Sequence, residues 1–343
     1  MRLTFSSTVR ALFVVALLAH GAALALPAAP QQAKQDKAAK VPDAERKAAQ
    51  KIDEAKDAAS KMQAATDFIQ KYPASSLRPK VVDLLVGQIA DLQDNAQKIS
   101  LAESFMGTFM EASEANRMYP ILIDAYISAK RTEDAFNAAR PWLELNPNEV
   151  DVLYLLAVTG TAEAQRQNPK FVKDSERYGL KAIELIEADK RPAGITVEGW
   201  NKNKSQWLPQ LYQSMGLIAM LNGNNSDALA KLQKSITLGP NDPFNYVLLT
   251  SLKNEEYTKA ARQFQAMPSG PDKTAAEKKV NAQLDELIDI YAHALGLMEG
   301  KPQFEPVRGQ ILSDLTTYYK YRHQDSTAGM QELINKYKQP ATP

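Results

Sequence analysis

The chain has 343 residues, with 41 Lys+Arg against 40 Asp+Glu, 44% hydrophobic residues, three His and no Cys. The missing cysteines exclude disulfides, thiolate zinc sites, iron–sulfur clusters and cysteine nucleophiles, and the balanced charge argues against bulk attraction to nucleic acid or an anionic membrane. There is ample length for a core, either in two globular domains or in one extended array.

Residues 1–25 read as an export signal. Arg2 and Arg10 precede an apolar stretch, Ala11–Ala25, that ends in Ala23-Leu24-Ala25, the small-x-small pattern a signal peptidase accepts, so cleavage is expected before Leu26. An uncleaved anchor is the alternative, because the apolar run extends toward Ala29; His20, Gly21 and Pro27 argue against it. Cleavage lowers the 41 basic residues to 39 against 40 acidic ones. The expected mature protein is periplasmic or extracellular and has no transmembrane segment. Residues 26–42, rich in Ala, Pro, Gln and Lys, carry too little apolar surface to repay ordering and read as a flexible linker.

From Asp43 to Tyr72 there is neither Pro nor Gly, and the Ala-, Lys- and Glu-rich composition predicts a single helix ended by Pro73. Between Pro73 and Asn116, Val82, Leu85 and Ile89 and then Ala102, Phe105 and Met106 mark two more apolar helix faces. Asn116–Glu149 repeats that arrangement with Tyr119, Leu122, Tyr126, Ala135, Ala139, Trp142, Leu143 and Pro147. Asp151–Ala188 follows with Leu153, Leu156, Ala157, Ala182 and Ile183, and with extra residues around Gln167–Lys173. Lys190–Gln206 interrupts the rhythm and reads as a loop carrying Trp200, with Trp207 just beyond. Pro209–Asp242 is the clearest unit, with Tyr212, Met215, Gly216 and Ala219 on one helix, Gly223 in the turn, Ala228, Leu232, Ser235 and Ile236 on the next, and Pro240 at its close. Phe244, Leu248, Ala260 and Phe264 sketch a shortened copy. Segments 273–298, 302–321 and 326–337 read as further amphipathic helices. No run alternates as a strand does, so the expected class is all-α.

Gly216, Ala228 and Pro240 by identity, and Tyr212 and Met215 by type, resemble the tetratricopeptide repeat; Ala219, Leu232 and Ser235 depart from its pattern. The whole is also similar to exported bacterial repeat proteins of uncharacterised function. The resemblance implies a right-handed superhelical solenoid of antiparallel helix hairpins over 43–270, with residues 271–343 as capping helices. It assigns Tyr126, Ala135, Pro147, Gly216, Ala228 and Pro240 to repeat packing. It also implies a concave face lined by the first helix of each hairpin, where Tyr154, Val158, Gln213, Leu217, Met220 and Val247 fall.

Chemical motifs are few. HExxH, GxSxG, Walker A and GxGxxG patterns do not occur, the mature histidines are only His293 and His323, and carboxylates such as Glu103 and Asp285 sit at helical spacing in Lys-rich segments that read as solvated faces. No catalytic residue, cofactor or metal site is expected. The expected function is that of a non-catalytic exported scaffold or adaptor, binding a protein or peptide partner, such as an envelope complex, through an apolar strip of the concave face. The alternatives are self-association into an envelope architecture through the C-terminal helices with Tyr318, Tyr319 and Tyr321, and a small-ligand or glycan module gripped by Trp200 and Trp207.

Overall fold

The computed structural model describes residues 41–339, so the expected signal and almost all of the expected linker lie outside the described residues. Among these, every regular element is helical and no strand occurs. The helices are α1 Asp43–Glu54, α2 Ala58–Lys71, α3 Arg78–Ala90, α4 Asn95–Thr108, α5 Ala112–Ala115, α6 Tyr119–Ser128, α7 Thr132–Leu145, α8 Val150–Gln165, α9 Val172–Glu187, α10 Val197–Leu221, α11 Asn225–Leu238, α12 Pro243–Ala266, α13 Pro271–Met298, α14 Glu305–Arg322 and α15 Met330–Asn335. They form two compact units, an N-terminal one of residues 41–159 with 190–195 and a C-terminal one of 160–189 with 196–339.

In the N-terminal unit, the single helix expected over 43–72 is two helices. Ala55 is extended, and the Asp57 carboxylate accepts the Ser60 amide at 2.8 Å, so a new helix is capped where propensity alone favoured continuation. Lys61 then closes the end of α1, donating to the carbonyls of Ile52 (3.3 Å) and Asp53 (2.9 Å) that the break leaves open. Met62, Ala65, Phe68 and Ile69 of α2 share a core with Leu85 and Ile89 of α3 and with Ala102 and Phe105 of α4. Arg78 clasps this core at its edge through two 2.7 Å bonds to the Glu114 carboxylate and a third, at 3.0 Å, to the Pro73 carbonyl.

Helices α6 and α7 form a hairpin whose turn places Lys130 at φ +59°. Arg131 lies over the Tyr126 ring at 4.7 Å, and the Tyr126 hydroxyl donates to Glu103 at 2.7 Å. Burial, followed by that carboxylate, pushes the Tyr126 phenol up to about 12. Ala135 is fully buried in the same core, and Pro147 is exposed just past the end of α7.

In the C-terminal unit, α10 and α11 pack most intimately at Gly216, where a Cβ would stand 3.0 Å from Leu232 Cγ and Cδ2 and 3.5 Å from the Ala228 carbonyl oxygen. Two of the residues that depart from the repeat pattern thereby acquire a reason: Leu232 fills the space that Gly216 leaves, and the Ser235 hydroxyl donates to the Pro209 carbonyl at 2.7 Å. Pro209 lies inside α10 rather than at its start. The shortened two-helix copy expected over 244–264 is one continuous helix, α12, because after Pro243 the segment contains neither Gly nor Pro and its apolar positions face a long partner, α13. Helices α13, α14 and α15, the residues expected as capping helices, share that core. Tyr318 stacks on Tyr291 (5.9 Å between centroids), meets Tyr257 edge-on (5.7 Å) and donates to Asn254 at 2.6 Å. His293 of α13 is sandwiched between Tyr246 (3.9 Å) and Tyr337 (4.0 Å).

Gly216→Leu is expected to wedge α10 from α11 and cost about 1–3 kcal/mol by overpacking, read as a lower denaturant midpoint. Burial holds His293 below its ordinary 6.5; Asp289 pulls it the other way and Lys336 pushes it further down. The unfolded chain therefore binds this proton more readily than the folded one, so the stability associated with neutral His293 is present above about pH 6.5 and is lost as the pH falls through that value toward the folded pKa. Denaturant midpoints measured from pH 7.5 down to about 5 should fall more steeply for the wild type than for His293→Phe.

Candidate functional site

The C-terminal unit holds a recess of about 400 Å³ where the end of α8, the following connection and the end of α10 meet. Each wall has a local cause. Helix α8 stops at Gln165 because Gln167 takes φ +66°, while the Asn168 side chain and backbone amide both bond back to Glu163 at 3.0 Å. One turn of 3-10 helix, Pro169–Phe171, with Phe171 buried, then brings Val172 in as the start of α9. Across the recess, Leu217 and Leu221 stand one turn apart on α10, which ends at Asn222 ahead of Gly223 at φ +73°. Ala164, Gln165, Gln167, Pro169, Val172, Leu217, Leu221 and Asn222 line the space, and none of these eight is charged.

Two of the wall residues are unusual. Leu221 is 51% exposed, a large aliphatic side chain presented at the edge of an apolar hollow. Gln165 is only 6% exposed, and its Nε2 is shielded from solvent with no protein acceptor in reach. A buried amide donor without a partner costs roughly 1–3 kcal/mol, so its retention calls for an explanation.

The residues expected on the groove are divided between the units. Tyr154 and Val158 lie half-buried on the N-terminal unit's part of α8, and burial pushes the Tyr154 phenol up to about 12. Of the four in the C-terminal unit, Leu217 lines the recess; Val247 is buried in the core and Met220 packs against it. The Gln213 amide is committed within the fold, donating to Asp242 at 2.6 Å and to the Asn245 side-chain oxygen at 3.1 Å, while Asp242 caps α12 by accepting the Phe244 amide at 2.9 Å. Sequence reasoning missed Gln165 and Leu221. Leu221 was findable, four residues past Leu217 on one helix face. Gln165 had no signal, since a glutamine in Ala-Glu-Ala-Gln-Arg reads as solvated.

The loop expected over 190–206 is shorter than that, because Thr196 caps α10 by accepting the Gly199 amide at 3.1 Å and the helix runs from Val197. Trp200 and Trp207 thereby turn inward rather than forming an exposed platform. They are 2% and 4% exposed, meet edge-on at 6.5 Å, and Trp200 donates its indole N–H to Asp189 at 2.8 Å. Of the C-terminal tyrosines offered for self-association, Tyr318 is spent on Asn254 and Tyr319 is buried with its hydroxyl on the Ala328 carbonyl; Tyr321 alone of the three is exposed.

A second recess, of about 390 Å³ in the N-terminal unit, surrounds Arg78, whose donors are already engaged by Glu114 and the Pro73 carbonyl. Among the described residues no three His, Asp or Glu side chains converge as metal ligands, and no helix is long and apolar enough to cross a membrane.

The chain matches no protein-family model and no curated protein.

Inward-facing indoles make a direct prediction. In Trp142→Phe, which leaves Trp200 and Trp207 as the only indoles, fluorescence should be blue-shifted and resist iodide quenching; ready quenching would return the pair to the surface.

Proposed function

We propose that this protein is a non-catalytic, exported scaffold of the tetratricopeptide type, which holds a protein or peptide partner against the first helices of its hairpins. The observation that carries the reading is the uncharged recess beside α10, in which Leu217, a residue the repeat phase assigns to the ligand face, meets the exposed Leu221. Helix hairpins with small residues at the crossing, Gly216 and Ala228 in one and Ala135 in the other, support it, because such hairpins hold their first helices rigidly enough to present a surface. An uncharged hollow with five apolar residues among its eight, and with the exposed Leu221 at its edge, suits an anchor side chain that is buried on association, the element that dominates binding energy in most interfaces. On this reading the leader delivers the mature chain, residues 26–343, to the envelope, where its partner resides.

A photo-activatable residue in place of Leu221 tests this in the producing cell, with one in place of the exposed Tyr321 as the positional control. One discrete heavier product formed from position 221 and absent from 321 is the expected result. Equal products from both positions, or none from 221, overturn the reading. A product at twice the chain's own mass formed from 321 favours self-association instead.

A further inference from the structure

We infer that the C-terminal strap, residues 330–339, is exchanged between copies of this chain, so that the groove it fills on α13 is an interaction surface for the same strap of a second copy. The groove is shaped for this segment. At Gly296 a Cβ would stand 2.7 Å from both the Ile334 carbonyl oxygen and Tyr337 Cβ, so the strap lies directly on the α13 backbone. Ile334 is buried there, and Met330, Leu333 and Tyr337 pack on the same core. Directional bonds fix its register: the Tyr337 hydroxyl donates to Asp289 at 2.6 Å and Gln339 Nε2 to the Asn241 side-chain oxygen at 3.0 Å. The charges are complementary, with Lys336 and Lys338 of the strap set against Asp289 and Glu299 of α13 and its end; Lys338 and Glu299 pair at 2.8 Å.

The connection from α14 to this strap is of a different character. Residues 323–329 are all exposed. Their ties to α14 are made by Tyr319, whose ring stacks on His323 at 4.1 Å and whose hydroxyl donates to the Ala328 carbonyl at 2.8 Å. Gln324 and Asp325 follow one another at φ +55° and +64°, the left-handed region in which a Cβ crowds the next carbonyl oxygen. Folding the strap back onto its own α13 requires that strain, and opening the hinge releases it. Residues 323–329 contain no proline, so α14 can continue through them as helix.

A short strained hinge next to a segment with its own groove is the arrangement that favours exchange. Each contact between strap and groove is remade on the second copy, and the hinge alone changes conformation. What opposes exchange is the entropy of association, so the dimer forms as concentration rises. With 41 basic against 40 acidic residues, net repulsion between copies is small. The exchange leaves α8 and α10 as they are and does not rest on the scaffold reading, on which the crosslink from position 221 reports separately.

The chain has no cysteine, which allows a direct test. Glu299→Cys and a size-tagged Lys338→Cys variant of the mature chain are concentrated together, diluted and treated with a short bis-maleimide. The expected result is a covalent dimer of mixed size joined between positions 338 and 299, located by mass spectrometry of its peptides. The double variant kept dilute throughout should give the same link within one chain, which checks that the two positions face each other. Gln324→Gly with Asp325→Gly removes the hinge strain from the closed monomer and should weaken dimerisation about tenfold or more. Deleting residues 326–328 prevents the fold-back and should make the dimer the main species by sedimentation. The proposal is overturned if no mixed product links 338 to 299 while the dilute double variant does, if chains join only through other positions, or if the double glycine variant dimerises as the wild type does.

Discussion

Much of the C-terminal unit depends on one close approach, the crossing of α10 and α11 at Gly216. Without a Cβ there, Leu232 packs against the α10 backbone itself, and any added carbon would stand 3.0 Å from it. One end of the same hairpin is held by a second pair of contacts, the Ser235 hydroxyl on the Pro209 carbonyl and Gly239 against the Pro209 ring. Two clasps along one hairpin leave little freedom in the rotation of α10. That rotation decides which side of the helix turns Leu217 and Leu221 toward the end of α8, so a packing constraint at a glycine determines the shape of the recess.

Polar groups inside the units set register in a complementary way. The indole of Trp200 on Asp189, the amide of Gln213 on Asp242 and Asn245, the hydroxyl of Tyr318 on Asn254 and the guanidinium of Arg78 on Glu114 each join different elements through a directional bond. Apolar faces slide against one another at little cost, whereas such bonds are satisfied in one alignment only. Gln165 differs from this set. It is as buried as they are, and it joins nothing.

The periodic part of the fold was readable before any coordinates. Spacing at three and four residues located the apolar faces of α2, α6, α7, α10 and α11, and Gly223 marked the α10–α11 turn. Three boundaries were misread, for local reasons. The break at Ala55–Asp57 rests on one cap in a run of good helix formers, and the helical start at Val197 rests on one threonine beside Pro192 and Gly194, which suggested a longer loop. Over 244–266 the repeat phase suggested a turn where the chain has neither Gly nor Pro, and length without a breaker was the better guide. The site was half legible. Leu217 followed from the repeat phase, but Gln213 and Val247, on the same reasoning, proved to be interior.

Sequence by itself determined the helical class, the places where small residues let helices meet, and the lack of cysteine chemistry. These are local or compositional properties, carried by each residue's own side chain and its neighbours three or four positions away. Tertiary structure alone decided that Trp200 and Trp207 face inward, that Gln213 is used within the core, and that Gln165 is buried in an uncharged wall without a partner. Each of those outcomes depends on residues tens of positions away, Asp242 and Asn245 for Gln213 and Leu217 and Leu221 for the wall around Gln165. Burial of a polar group and the identity of its partner are properties of the packed assembly, and no periodicity along the chain encodes them.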